Sequence, residues 1–393
     1  DPMRRTTSLL LLIVGIVSWT PVFARAENWP GWRGPRGDGT SLEEDIPTAW
    51  DGKTMENIAW RAPVPGRSHS SPIVWEDKVL LSTCLEEQGQ RVLVCFDRRT
   101  GRLLWQQTVL EAPLEKLHRL NSYASGTPAT DGQQVYVAYL EADFASKKEV
   151  TPGNIVVAAY SLDGRQRWLV RPGRFSSVHG FCTSPVLFDN LVIINGDHDG
   201  DSFIFGLDRE TGRTVWKRPR RHKTRSYCTP VIRQIAGRTQ MVFSGSKCVV
   251  SLDPRDGSEH WYLDGPTEQF VASLVYNGRM FFLTAGFPEY HILAIRPDGT
   301  GDITETHIAW RTTRGCAYVP SPIVEGDFFL VTSDNGIVSC FDADTGHRHW
   351  MERMAPHYSA SPVSAEGRIY LTDDTGKTCI VRPAVEHDVI ADN

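Results

Sequence analysis

The chain has 393 residues, of which 40% are hydrophobic and 23% are charged, and it contains 33 Gly and 24 Pro. This is the composition of a globular protein that is rich in turns. The formal net charge of −5 provides no basic surplus to neutralise a phosphate backbone. The composition therefore argues against nucleic acid as a partner.

The first 26 residues have the features of a secretory signal peptide. A basic pair at positions 4 and 5 precedes an apolar run over residues 9–19, and Ala24-Arg25-Ala26 supplies a small-x-small cleavage site. We interpret Asp1 and Pro2, which precede Met3, as a remnant of cloning or of gene prediction. The apolar run is too short to span a bilayer. We therefore predict cleavage after Ala26 and a periplasmic or secreted protein that does not span the membrane, exported by ordinary secretion or by a twin-arginine route.

The eight cysteines are scattered singly along the chain, with no C-x-x-C pair. In an exported protein all of them could form disulfides. Most, however, lie within apolar runs, where a free thiol behaves as a small hydrophobic side chain. We expect neither a dense disulfide framework nor metal binding by these cysteines.

A sequence module recurs through the chain. Each copy begins with Ser/Thr-Pro and β-branched residues, crosses a Gly/Asp turn into a second apolar strand, continues into a third strand that ends in Asp-x-x-x-Gly, and closes with a strand that carries Trp. The fifth copy begins at Ser273 without its Pro. The other starts are Ser71, Thr127, Ser184, Thr229, Ser321 and Ser361, and the Trp positions are Trp60, Trp105, Trp168, Trp216, Trp261, Trp310 and Trp350. A fixed period of this size indicates a repeat architecture.

Four short strands in each of seven modules predict an all-β fold, a β-propeller of four-stranded antiparallel blades. The Asp-x-x-x-Gly motif is typical of the hairpin between the third and fourth strands, because Gly tolerates positive φ and Asp caps the turn. We assign residues 27–56 to a Gly/Pro-rich arm and residues 57–393 to the propeller. An insertion over residues 142–153 accounts for the longest Trp spacing.

Two accounts of ring closure are open. Asn57–Ala62 has the form of a fourth strand with no module before it, while His387–Asn393 falls where the seventh module expects its own fourth strand. Counting favours an eight-bladed plan whose last module is absent from the sequence. In the rival account, Asn57–Ala62 completes the seventh blade of a closed seven-bladed ring.

The repeat of Asp-x-x-Thr-Gly followed by Trp resembles the PQQ-type, or quinoprotein-like, β-propeller repeat. This repeat is found in quinoprotein alcohol dehydrogenases and in the outer-membrane assembly factor BamB. The opening segment Asn28-Trp-Pro-Gly-Trp-Arg-Gly-Pro further resembles the exported PQQ-like repeat proteins that are abundant in planctomycete-type bacteria. The resemblance covers residues 57–393, and it specifies a fold more narrowly than a function.

For an enzyme, the resemblance implies a PQQ cofactor stacked on Trp beneath a vicinal Cys-Cys disulfide, with Ca²⁺ bound by Glu, Asn and Asp and an Asp as general base. The sequence has no adjacent cysteines. We therefore assign no catalytic residue and expect neither cofactor. The repeat Trp residues are expected to pack between blades.

One acidic motif is compatible with a metal site. Asp197, Asp199 and Asp201 alternate around a Gly turn, as in the first half of a calcium loop. The distal bidentate carboxylate of such a loop is not evident. An exposed acidic hairpin is the alternative interpretation.

Polar and aromatic residues recur just before the module starts. The inner strand of each blade lines the central channel, so the residues at which it begins should converge on one mouth of that channel. His and Tyr there could supply hydrogen bonds, proton transfer or metal ligands. The predicted mouth residues are Arg67, His69, Tyr123, His179, Arg225, Tyr227, Tyr318, His357 and Tyr358.

Together, these features predict an exported β-propeller that acts as a binding or scaffold protein of the cell envelope, with a protein or an envelope polymer as its ligand. The alternative is a PQQ- and Ca²⁺-dependent quinoprotein oxidoreductase acting on alcohols or sugars.

Overall fold

The structure is a computed structural model that describes residues 26–393. The signal peptide predicted over residues 1–26 lies, apart from Ala26, outside the described residues. Within residues 26–393, no helix has the length and apolar character needed to cross a membrane.

Across the described residues, seven sheets of four antiparallel strands follow one another along the chain, as the repeat predicts, and the fourth and seventh sheets each include a fifth, short parallel strand. A short strand, β1 (Thr40–Ser41), precedes them. The first blade contains β2 (Ile73–Trp75), β3 (Lys78–Leu85), β4 (Gln90–Asp97) and β5 (Leu103–Glu111), with one 3-10 turn at Glu86–Gln88. The second contains β6 (Ala129–Thr130), β7 (Gln134–Ala142), β8 (Gly153–Ser161) and β9 (Gln166–Phe175). The third contains β10 (Val186–Phe188), β11 (Leu191–Gly196), β12 (Phe203–Asp208) and β13 (Thr214–Pro219).

The remaining blades repeat this order. The fourth contains β14 (Val231–Ile235), β15 (Arg238–Gly245), β16 (Cys248–Leu252) and β17 (Glu259–Asp264). The fifth contains β18 (Val275–Tyr276), β19 (Phe281–Ala285), β20 (His291–Ile295) and β22 (Ile308–Thr312), while β21 (Gly301–Asp302) joins the fourth sheet. The sixth contains β23 (Ile323–Glu325), β24 (Phe328–Thr332), β25 (Ile337–Asp342) and β26 (Arg348–Arg353). The seventh contains β27 (Val363–Ala365), β28 (Arg368–Thr372), β29 (Thr378–Arg382) and β30 (Asp388–Asp392).

The hydrophobic core is divided among the spaces between consecutive blades. Each neighbouring pair from the first to the seventh blade shares one cluster of buried apolar side chains. The middle strands β3, β4, β7 and β8 are buried on both faces, because each blade is packed between two others. The prediction of an all-β propeller is confirmed.

Tryptophan side chains fasten each blade to the next, as the repeat predicts. The Trp168 indole N–H donates to the Arg209 carbonyl at 2.9 Å, in the turn that links β12 and β13 of the following blade. The same bond, to the equivalent turn, is made by Trp60 to Arg98, Trp105 to Leu162, Trp216 to Pro254, Trp310 to Ala343 and Trp350 to Ala384. A buried indole needs such an acceptor. The recurring Trp therefore has a packing role.

Trp261 departs from this pattern, because the next turn is enlarged. Its indole N–H donates to Gln240 Oε1 at 2.8 Å, and Gln240 Nε2 donates to the Pro297 carbonyl at 2.9 Å. The enlarged connection also pairs β21 with β17 in parallel. The Gln240 amide thus relays the contact between the fourth and fifth blades.

The N-terminal arm crosses one end of the channel. Trp29 exchanges backbone hydrogen bonds with Val74 of the first blade, and Thr130 of the second blade donates to the Pro30 carbonyl. Further along the arm, β1 pairs in parallel with β27 of the seventh blade. The arm therefore joins the first and last blades across the axis.

The predicted strand at Asn57–Ala62 is absent. No strand that the structure describes pairs with this segment. It contacts the first blade through the hydrogen bond that the Trp60 indole N–H donates to the Arg98 carbonyl. The partner of β29 is β30 instead, as the His387–Asn393 prediction requires. Asn57–Ala62 therefore does not complete the seventh blade, whose fourth strand is β30, and the seven blades fit a seven-bladed plan. On the face that does not contact the second blade, the first blade packs against Ala62. On the face that does not contact the sixth blade, the seventh blade packs against Ile46 and Trp50.

All eight cysteines are free thiols in this structure. Seven are buried and Cys182 is partly buried. Five of them lie in blade strands and three, Cys182, Cys228 and Cys316, lie in connections, where they act as small apolar side chains.

We expect Gly346→Ala to destabilise the propeller more than Gly367→Ala. Both glycines have positive φ, 72° and 68°, so both substitutions place a side chain in an unfavourable backbone conformation. A Cβ added at Gly346 would lie 2.5 Å from the Trp310 ring. A Cβ added at Gly367 would have no atom within 4 Å. The difference in the free energy of unfolding, measured with denaturant, should be about 1–3 kcal/mol. Equal losses would show that the Trp–Gly contact does not hold the blades.

Candidate functional site

The channel contains a cavity of about 610 Å³, within the size range of ligand-binding pockets. Its floor is supplied by Trp29, Trp32 and Arg33 of the arm. Arg33 is buried, and its guanidinium donates to the carbonyls of Asp38, Pro322 and Pro362. The arm thus gives the channel a floor, and we call the end at which the inner strands begin the mouth.

Hydroxyl groups line the wall of this cavity. At successive blades, the backbone N–H at the start of one inner strand donates to the Ser or Thr hydroxyl of the next blade. The bonds run from Ser71 to Thr127, Thr127 to Ser184, Thr229 to Ser273, Ser273 to Ser321 and Ser321 to Ser361, at 2.9–3.0 Å. The Ser/Thr of the repeat therefore holds neighbouring blades together and places oxygen atoms toward the axis.

Part of the predicted mouth set comes together. His69 and Tyr227 line the cavity. The His179 ring lies 5.9 Å from the Tyr227 ring, and the Tyr227 hydroxyl is 3.0 Å from Ser177 Oγ. This places two imidazoles and a phenol around the opening.

Three more of the predicted residues reach the same region through partners. The Tyr318 hydroxyl donates to Gln269 Oε1 at 3.3 Å, and Arg225 Nη1 lies 2.7 Å from Asp199 Oδ1. His357 Nδ1 lies 2.6 Å from the carboxylate of Asp374, which itself lines the cavity. The mouth is a hydrogen-bonded polar network.

The remaining three predicted residues lie elsewhere. Arg67 exchanges backbone hydrogen bonds with Cys84, and its side chain does not line the cavity. The Arg91 guanidinium carbon lies 5.6 Å from the centroid of the Tyr123 ring, and Tyr123 lines a different concavity. Tyr358 is 1% exposed in the core between the sixth and seventh blades. Their positions next to module starts did not determine which way the side chains face.

Desolvation favours the uncharged forms of four His and Tyr side chains at the mouth. It lowers the pKa of His179 to about 4, assisted by the Arg225 cation, and lowers the pKa of His69 as well. It raises the pKa of Tyr318 to about 12 and the pKa of Tyr227 well above its ordinary value. Neutral imidazoles and phenols with these pKa values are suited to hydrogen bonding rather than to proton transfer near pH 7.

The three aspartates of the acidic motif do not converge. Asp197 is buried and lies 2.8 Å from Arg220 Nε, while Ser226 donates to its other oxygen. Asp199 and Asp201 form separate ion pairs with Arg225 and Lys223. Among residues 26–393, no three His, Cys, Asp or Glu side chains are grouped to hold a metal ion. The motif is also not simply an exposed hairpin, because Asp197 is 1% exposed.

The features that the resemblance implies for a PQQ and Ca²⁺ site are not assembled around the cavity in the part of the chain that the structure describes. The carboxylates of the predicted acidic motif, Asp197, Asp199 and Asp201, are engaged separately by basic side chains. No two cysteines are adjacent, which leaves no vicinal disulfide. The repeat Trp residues dock between blades, and none of them lines the cavity.

Several residues of the site were not singled out from the sequence. Asp374, Asn121 and Trp32 line the cavity. The repeated Ser/Thr was visible as a module marker, and that periodicity was a signal for the hydroxyl groups. Nothing in the local sequence indicated that the arm would return to the axis.

We expect Asp197→Asn to destabilise the protein by about 3–5 kcal/mol, because it leaves the Arg220 guanidinium buried without its carboxylate. Asp201→Asn removes an exposed pair with Lys223 and should leave stability nearly unchanged. Denaturant unfolding of both variants, with and without Ca²⁺, tests this ion-pair role. A calcium-dependent stabilisation that both substitutions abolish would favour a metal site instead.

Comparisons with known proteins agree with this architecture. The family model described as outer membrane protein assembly factor BamB matches residues 47–169, 88–350 and 302–384. No curated protein matches. Among solved structures, BamB from Moraxella catarrhalis aligns with a TM-score of 0.57 at 14% identity, covering 84% of this chain and 86% of that one.

Dehydrogenase structures align as well. A europium-containing methanol dehydrogenase gives a TM-score of 0.57 at 11% identity, covering 91% of this chain and 89% of that one. The quinohemoprotein alcohol dehydrogenase from Comamonas testosteroni gives 0.58 at 13% identity, covering 91% and 77%. At such identities the likeness shows the fold alone. Because the family model spans most of the propeller, the chain belongs to the PQQ-like β-propeller repeat family, whose model is described as outer membrane protein assembly factor BamB.

Proposed function

We propose that this chain is a binding or scaffold propeller of the cell envelope, whose protein or envelope-polymer ligand engages the mouth of the channel. The observation that carries the proposal is the axial cavity, which has a floor formed by the arm and a rim of neutral His and Tyr side chains. The family match and the predicted signal peptide support an envelope location.

The rim favours binding over catalysis. Its polar groups are already paired with one another, as in His357 with Asp374 and Tyr318 with Gln269. Paired side chains of this kind are pre-positioned to contact a ligand, which reduces the entropy lost on binding. Asn121 and the wall hydroxyls add hydrogen-bonding groups for a polar ligand.

We predict that a photo-reactive amino acid at position 69 will crosslink to a discrete envelope component in cells that export the chain. His69 is exposed and lines the cavity. Position 305 is the matched control, because it is also exposed but lies in the connection between β20 and β22, at the end of the blades opposite the mouth. Mass spectrometry of the adduct distinguishes a protein from a polymer. Adducts at position 305 and none at position 69 would contradict a ligand at the mouth.

For the quinoprotein alternative, we expect no dye reduction when the purified protein is mixed with PQQ, Ca²⁺ and an alcohol or a sugar. The reason is the missing vicinal cysteine pair and the dispersed carboxylates. A known quinoprotein dehydrogenase reconstituted in parallel verifies the assay. Stoichiometric PQQ binding accompanied by alcohol-dependent dye reduction would establish the enzyme instead.

A further inference from the structure

A second concavity, of about 700 Å³, lies between the loops of the first and second blades on the mouth side. We call it the acidic groove. Its walls come from the β3–β4 turn, the segment after β5 and the insertion between β7 and β8. Its lining residues are Glu86, Glu87, Gln88, Gly89, Glu111, Ala112, Pro113, Leu114, Tyr123, Ala145, Ser146 and Lys147.

A buried ion pair fixes the walls of the acidic groove. Arg91, whose side chain is fully buried, lies 2.6 Å from Glu115. Its guanidinium also donates to the carbonyls of Gly89, Ala112 and Pro113, which belong to two different walls. Such a charge-assisted network holds the backbone in one arrangement. The groove is therefore formed before any ligand arrives.

The predicted insertion forms the third wall. Ser146 N donates to the Leu114 carbonyl at 3.1 Å, and its hydroxyl accepts from the backbone N–H groups of Lys148 and Glu149. The insertion is therefore folded against the segment after β5. Its position explains why the second module is longer than the others.

The acidic groove carries a net negative charge above an apolar floor. Glu86, Glu87 and Glu111 are exposed on its lining, against a single cation, Lys147. The lining also includes the apolar surfaces of Pro113, Leu114, Tyr123, Ala112 and Ala145. Glu111 pairs with Gln90, so the three glutamates lie together along the wall formed by the β3–β4 turn and the end of β5. Carboxylates beside an apolar surface complement basic side chains next to an apolar one.

From this charge and shape we propose that the acidic groove binds an extended protein segment in which Lys or Arg residues adjoin an apolar residue. The apolar residue contacts Leu114 and Tyr123, and the cations meet the glutamates of the rim. This inference goes beyond the axial site, because the groove has its own walls and shares none of the lining residues of the cavity.

The test uses a fluorescein-labelled peptide of alternating lysine and leucine, with a glutamate–leucine peptide of equal length as its charge-swapped partner. Fluorescence anisotropy with the full chain should show saturable binding of the lysine peptide alone. The double variant Glu87→Lys/Glu111→Lys should weaken that binding roughly tenfold or more, since it replaces attraction with repulsion. Raising the salt concentration should weaken binding to the unmodified chain.

Two further variants separate groove binding from general attraction to an acidic protein. Glu305→Lys changes an exposed charge on the opposite end of the blades and should leave peptide affinity within about twofold. Leu114→Ser keeps the charge and should weaken binding several-fold, with its melting curve confirming that it is folded. No binding to the unmodified chain, an equal loss from Glu305→Lys, or full affinity in a folded Leu114→Ser would overturn the proposal.

Tyr227→Phe distinguishes this proposal from the axial ligand site. It alters a residue of the cavity and none of the groove. Peptide affinity should be unchanged in this variant. A loss there would place the peptide in the channel and would overturn the groove as its site.

Discussion

The contact between a Trp indole and the turn of the following blade is the interaction on which the rest of the structure depends. Each blade exposes two apolar faces, and it becomes stable only when both are covered. The indole supplies a large apolar surface and one N–H, which finds a backbone carbonyl in the adjoining turn. A positive-φ Gly in that turn makes room for the ring. The sheets are thereby set face to face around an axis.

Where the turn is altered, the contact is rebuilt rather than lost. The connection after β20 is enlarged, so Trp261 reaches the next blade through Gln240 and Pro297. Because the Gln240 amide both accepts and donates, it satisfies both buried partners. The buried indole N–H is therefore hydrogen-bonded even where the usual turn sequence is absent, because buried polar groups need partners.

The mouth and the acidic groove depend on different segments of one scaffold. Hydroxyls at the inner strands surround the axis, and the arm closes off the far end. The groove arises where the insertion of the second blade meets the segment that Arg91 organises. In both places the binding groups lie on or beside loops, and the rigid strands of the blades hold those loops in position. Repeat folds commonly acquire binding surfaces in this way. The neutral His179 and protonated Tyr318 suit such surfaces better than proton transfer.

The sequence by itself determined the blades. Short strands, the Asp-x-x-x-Gly turns and the Trp period are local signals, and each is satisfied within one module or between neighbouring modules. They predicted the second strand of every blade and the final strand at His387–Asn393. The position of His69 and Tyr227 at the mouth followed from the same periodicity.

Only the tertiary structure decided what depends on contacts between distant segments. Asn57–Ala62 has a strand-like sequence but no adjacent strand to pair with. Tyr358 occupies the same place in its module as mouth residues do, yet packs into a core. Asp197, Asp199 and Asp201 lie close in sequence, but basic residues from the following connection draw them to separate partners. The direction of a side chain and the partner of a charge are set by packing, which periodicity alone does not specify.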